Sequence, residues 1–179
     1  MRSALETAES SFTKRFRVLL FAVLTTVAAF AAVDSNHALG ADPTVAYAPD
    51  DPEMARAIAL ARGSLGTYFS VVQSEPSGIE NPSLKVAILK SDGDGHEHIW
   101  VMDVAADGPG TYTGIIANEP AFLDGIQIGD QYAFKRDEIT DWMFMRDGRL
   151  HGGFTVRVML PRLPEDQARS LRAILAPLP

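Results

Sequence analysis

At Leu84 the apolar pattern changes period, and that change limits the fold more than any other feature of the chain. Upstream, Met54, Ile58, Ala61 and Leu65 recur at helical spacing. From Leu84 on, Leu84, Val86 and Ile88 alternate with Lys85, Ala87 and Leu89, the two-residue period of a strand. Further strands are expected at His96 to Val104, Thr111 to Ala117, Gln131 to Lys135 and Glu138 to Met145. Turn chemistry separates them: Asp92-Gly93-Asp94-Gly95, Asp107-Gly108-Pro109-Gly110, Asn118-Glu119-Pro120 and, after the last, Asp147-Gly148. Short turns between successive strands favour antiparallel pairing. Phe154 to Leu160 fits a strand or a helix about equally badly.

Helices gather at the two ends. Asp51-Pro52-Glu53 reads as a helix start, with a capping carboxylate, a proline at the first position and an acid near the positive dipole end. Gly63 and Gly66 break that helix, and Leu65, Phe69 and Val72 resume an apolar face up to Gln73. Ser74 to Ser83 is a loop by its prolines and glycine. Pro164-Glu165-Asp166 opens a final helix with Ala168, Leu171 and Leu175 on one face. The expectation is a single α+β domain over residues 51–179. It has a broken N-terminal helix, a mainly antiparallel sheet of about five strands and a C-terminal helix.

Residues 1–40 stand apart from this core. Lys14, Arg15 and Arg17 precede an apolar run from Val18 to Val33, and Ala38-Leu39-Gly40 offers small residues for cleavage before Ala41. The run has 16 residues, short of the roughly 20 that span a bilayer. Residues 1–40 therefore read as a signal peptide and 41–50 as a flexible tether. The alternative is an uncleaved anchor at residues 18–33, which would place the protein on a membrane. The location expected is the periplasm or outside the cell.

After residue 40 the chain holds 12 Lys/Arg against 20 Asp/Glu, a net charge of −8. Such a domain repels phosphate backbones, so nucleic acid is not an expected partner. There is no cysteine, which excludes disulfides, thiol catalysis and a lipid-modified N-terminal cysteine.

The stretch SDGDGHEHIW, Ser91 to Trp100, comes nearest to metal chemistry. On a strand His96, His98, Trp100, Met102 and Val104 share a face, so both histidines could reach one zinc ion, with Asp92 or Asp94 completing it. A third ligand with firm geometry is not evident. The calcium-loop likeness of Asp-x-Asp-Gly fails where a glutamate is required, since that position is Asp103. The hairpin-turn reading is preferred, with His96 and His98 as weak metal candidates.

Catalytic signatures are thin. Gly-x-Ser-x-Gly is absent, and Thr155, in GGFTVR, has no base that the sequence identifies. No phosphate loop surrounds Gly148, Gly152 and Gly153. Asp141 falls between Thr140 and Trp142; as a strand residue it would share a face with Ile139 and Met143, with Arg157 the most attractive partner if it is buried. Trp100 and Trp142 read as core or cleft walls. No catalytic residue and no cofactor is assigned.

Several stretches taken in order are more specific. EHIWV (Glu97 to Val101), GIIANEP (Gly114 to Pro120), IGD (Ile128 to Asp130) and ITDWMFMRDGRLHGGFTVRV (Ile139 to Val158), followed by LPRLP, resemble the bacterial domain-of-unknown-function family 2314 (DUF2314), the YegJ-like proteins. The resemblance runs from about Pro52 to Pro164. It implies a small bacterial domain, exported in some members, and no reaction. Polar residues on its motifs are Glu97, His98, Asn118, Glu119, Asp141, Thr155 and Arg157; with Trp100 and Trp142 these are the candidate binding or structural-polar residues. The expected function is an exported, non-catalytic module binding a protein or small ligand. The alternatives are a hydrolase or other enzyme using His98 with Glu119 or Asp141, and an immunity-like or envelope-stress protein.

Overall fold

Asp51 begins the first helix through its side chain: its carboxylate accepts from the backbone N–H of Glu53 at 2.9 Å and of Met54 at 3.1 Å. The computed structural model describes residues 51–179; the expected signal peptide at 1–40, the alternative anchor at 18–33 and the expected tether at 41–50 lie outside the described residues. Helix α1 spans Pro52–Gly63 and α2 spans Leu65–Ser74. The break falls at Ser64, whose hydroxyl donates back to the Leu60 and Ala61 carbonyls instead of capping α2. No described helix is long and apolar enough to cross a membrane.

Six strands follow: β1 Glu80–Leu89, β2 His96–Gly108, β3 Thr111–Ile116, β4 Gln131–Lys135, β5 Ile139–Arg146 and β6 Arg149–Gly152. They form one sheet in the order β4-β3-β2-β1-β5-β6, with every neighbouring pair antiparallel. The α+β class holds, with one strand more than expected. β6 is four residues long, too short to display a period.

Several boundaries differ from the sequence reading; β2, for one, runs on to Gly108, past Val104 and into the expected turn. The supposed loop from Ser74 to Ser83 contains a 3₁₀ turn at Pro76–Gly78, and β1 already begins at Glu80. Pro82 is tolerated there because the β1–β5 register shifts between Glu80 and Ser83, with Asn81 at φ 50°. At the other end, Phe154 to Leu160 resolves as helix: α3 spans Phe154–Met159 and passes into a 3₁₀ turn at Leu160–Arg162. Helix α4, Glu165–Ile174, opens after Pro164 as expected. Leu175 has left that helix; it pairs in parallel with Leu150, and the Ala176 N–H donates to the Leu150 carbonyl at 2.9 Å.

Cross-strand partners define two faces. Leu84 pairs with both Val101 and Trp142, and Val86 with Ile99 and Ile139, so these side chains share one face. Tyr68 of α2 and Ala61 of α1 join them in the core. Trp142 anchors the helices: its indole N–H donates to the Ala61 carbonyl at 3.2 Å and to Ser64 Oγ at 3.0 Å, and its ring lies 5.9 Å from Tyr68. The register shifts again between Lys85 and Val86, which pair with Asp141 and Ile139. Thr140 is the extra residue of that bulge. The expected alternation therefore fails at one point: Ile139 faces the core with Trp142 rather than lying beside Asp141.

Candidate functional site

Lys85 occupies the centre of the opposite face. Its cross-strand partners are Trp100 on β2 and Asp141 on β5, so the three stand in one row. Its ammonium lies 4.7 Å from the Trp100 ring centre. It donates to Thr155 Oγ1 at 2.9 Å, and that hydroxyl donates onward to Asp141 Oδ2 at 2.6 Å. Lys85 is 8% exposed, Thr155 2% and Asp141 0%. Burial pulls the Lys85 pKa below its ordinary value, and the Asp141 charge pulls it back up.

Asp141 is also the cap of α3. Gly153 stands at the N-cap position without a side chain to offer, so the first turn would keep orphan N–H groups. Asp141 reaches across from β5 and accepts from Phe154 N at 3.0 Å and Thr155 N at 2.8 Å. The Trp142 N–H adds a bond to Oδ1 at 2.8 Å. With the Thr155 hydroxyl, the carboxylate has four donors, which fills its accepting capacity. Arg157 is not its hydrogen-bond partner. The Arg157 guanidinium instead donates to the Gly152 and Ala176 carbonyls and ties the C-terminal segment to the end of β6.

The approach of α3 depends on Gly152. Its φ is +76°, and a Cβ there would lie 2.2 Å from the Trp142 carbonyl oxygen and 2.5 Å from its ring. The Gly-Gly-Phe-Thr stretch thus turns β6 sharply over Trp142, sets Phe154 against the indole at 5.6 Å and delivers Thr155 to Asp141.

His98 lies beside this cluster. Its Nδ1 is 3.0 Å from Thr140 Oγ1, the bulged residue, which also bonds the Lys85 carbonyl at 3.3 Å. Crowding by the surrounding protein, then the positive charges of Lys85, His96 and Arg62, push its pKa down to about 4. The residue keeps an exposed side, and water there screens part of the penalty. The hydrogen bond runs to Thr140, not to Glu119 or Asp141. Glu119 is exposed.

Glu97 and Asn118 act on the long connection between β3 and β4. The Glu97 carboxylate accepts from Ala121 N at 2.7 Å and Phe122 N at 2.8 Å. Asn118 Oδ1 accepts from the Trp100 N–H at 2.8 Å, and the Ala117 N–H donates to the Trp100 carbonyl. These bonds seat Leu123 in the core. At the hairpin tip, Asp92 Oδ1 accepts from Asp94 N at 2.9 Å, while Gly93 and Gly95 take φ near +78° and +79°. Among the described residues no group of three or more His, Asp or Glu side chains could hold a metal ion.

The sequence therefore named Asp141, Thr155, Trp100 and His98, which the fold brings into one neighbourhood, and Glu97, Asn118 and Arg157, which serve separate joints. It missed Lys85. The available signal was a lone lysine inside the otherwise apolar run from Leu84 to Leu89. Thr140 was unreadable because its position depends on the bulge.

The model of a bacterial family, described as "Uncharacterized protein conserved in bacteria (DUF2314)", matches residues 51–173. The chain belongs to DUF2314. The DUF2314 span takes in every candidate residue and closes within α4. Among relatives, "Uncharacterized protein YegJ" of Escherichia coli (strain K12) is 28% identical over 162 residues, 90% of this chain and 98% of that protein. The "Putative ankyrin repeat protein" of Neisseria meningitidis serogroup B is 33% identical over 93 residues, 51% of this chain and 36% of that protein. No solved structure matches this DUF2314 chain significantly.

Proposed function

We propose that the protein is an exported binding module whose folded part performs no chemistry of its own. One observation carries the reading: the polar residues at the centre of the DUF2314 motifs hold the fold together. Asp141 caps α3 with every acceptor position filled, Thr155 bridges it to Lys85, and Glu97 and Asn118 fasten the connection after β3. Thr155 and Lys85 come nearest to a nucleophile and base. Yet the hydroxyl proton points to Asp141, and both side chains are buried. Export is supported by the basic cluster, the apolar run and the small residues at 38–40.

The test uses the full chain, tagged at its C-terminus, in its native host. The expected product is an envelope species lacking about 40 N-terminal residues that carries a companion molecule in native mass spectrometry. Full-length protein confined to the cytosol would overturn export. Turnover of an ester, amide or phosphate panel that is lost in a folded Thr155→Val variant would overturn the binding-module reading.

A further inference from the structure

An open groove of about 470 Å³ lies where the end of α1, the turn between β2 and β3, and the end of β4 meet. Its floor includes Leu65 and the Pro109–Thr111 turn, and its charged walls are Arg62, Lys135, Arg136 and Asp137. Three cations against one carboxylate is an unexpected local balance in a chain of net charge −7. No lysine or arginine at all occurs between residues 91 and 130. Cationic side chains are scarce, and the fold gathers three of them here.

A structural explanation would be ion pairing, and the three do not supply it. Among the described residues the ion pairs are Arg146–Glu75, Arg162–Asp51 and Arg172–Glu165. The nearest glutamate along the chain, Glu138, is turned to the Lys135 backbone N–H at 2.6 Å. The two arginines are held instead by neutral groups. Arg62 donates from Nε to the Ile139 carbonyl at 2.8 Å and from Nη2 to the Asp137 carbonyl at 2.6 Å. Arg136 lies 5.5 Å from the Phe69 ring centre and donates to the Tyr112 hydroxyl at 3.4 Å. Arg62 is held by two close bonds and Arg136 by looser contacts, and neither forms an ion pair with a described carboxylate. For Arg62 that is the preorganisation an anion site requires, because little side-chain freedom is left to lose on binding.

Donors remain for a ligand. A guanidinium has five N–H groups, and Arg62 uses two of them in these bonds. Lys135 and Thr111, both exposed residues, line the same groove. The volume falls in the range of small-molecule sites. The acidic remainder of the domain, with Asp137 at the rim, disfavours an extended polyanion such as nucleic acid.

We propose that this groove is a binding site for a small, multiply charged oxyanion of the phosphate-ester or pyrophosphate class, held by Arg62, Lys135 and Arg136. The inference deepens the binding-module reading by naming a ligand class. Phosphoryl oxygens suit it because two arginine forks and a lysine can address several acceptors on one centre.

The test is calorimetric titration of the full chain with inorganic pyrophosphate, and separately with sulfate and citrate, at fixed ionic strength. Saturable one-to-one binding of pyrophosphate, tighter than of sulfate or citrate, is expected. Lys135→Gln and Arg136→Gln, both at exposed positions, should each weaken it about tenfold, the loss of one charge-assisted contact. Lys90→Gln, outside the groove, should leave it unchanged. Absence of saturable binding, equal affinity for all three anions, or equal weakening by Lys90→Gln overturns the assignment. If pyrophosphate fails while a companion still co-purifies, the groove assignment falls and the binding module stands. If pyrophosphate binds and is hydrolysed, the groove stands and the non-catalytic reading falls.

Discussion

Asp141 is the residue on which most of the motif chemistry converges. It satisfies three backbone N–H groups and one hydroxyl, and through Thr155 it faces a buried ammonium. Asp141→Asn keeps the shape but turns two of those donors toward an NH₂ group and leaves Lys85 without its counter-charge. Removing one partner of a buried charged pair costs about 3–5 kcal/mol, and urea denaturation should show a loss of that order. A loss below about 1 kcal/mol, typical of a neutral hydrogen bond, would mean that Lys85 is already uncharged. His98 makes the second residue-scale prediction. Its pKa in the fold, about 4, lies below its ordinary 6.5, so the unfolded chain binds the proton more readily. Stability should be full above the ordinary value and fall as pH drops through the window between the two. His98→Gln should flatten the change in urea midpoint between neutral pH and about pH 5; an unchanged slope would place the titration elsewhere.

At the scale of elements, legibility followed period and length. The stretches Leu84 to Leu89 of β1 and His96 to Val104 of β2 advertise themselves, as do the Asp51 cap and the hairpin tip; the first four residues of β1 and the last four of β2 do not. β6 and α3 did not, since four and six residues are too few to show a period, and α3 takes its cap from another strand. The same limit hid the cluster: Asp141 and Thr155 were readable as unusual polar residues, while Lys85 became their neighbour only through the β1–β5 register. Gly152→Ala tests the β6–α3 corner. It places a methyl group against the Trp142 carbonyl at a positive φ and should cost about 2–5 kcal/mol. Glu97→Gln tests the connection after β3. The amide offers one acceptor where the carboxylate gave two, so hydrogen exchange at Ala121 and Phe122 should quicken roughly tenfold, about 1.5 kcal/mol of local protection. Unaltered exchange there would show that Leu123 alone seats the loop.

For the whole molecule, the absence of cysteine leaves packing to hold the domain. The central strands carry the load: Leu84, Val86, Val101, Ile139 and Asp141 are all at or below 1% exposure. Charge is distributed unevenly, with a stretch from 91 to 130 bearing acids but no lysine or arginine, while cations concentrate in the later elements and at the groove. The two borders of the sheet also differ. β4 ends the order on one side, whereas β6 on the other is joined by Leu175 and by the Ala176 N–H, with Arg157 gripping the Ala176 carbonyl. The tail thus works as a selvedge, a woven margin that stops the fabric from being extended by a stranger's thread. Cutting the chain before Leu175 should unravel it. The shortened protein is expected to keep its circular dichroism at low concentration yet self-associate as concentration rises, visible by light scattering, while the intact chain stays dispersed.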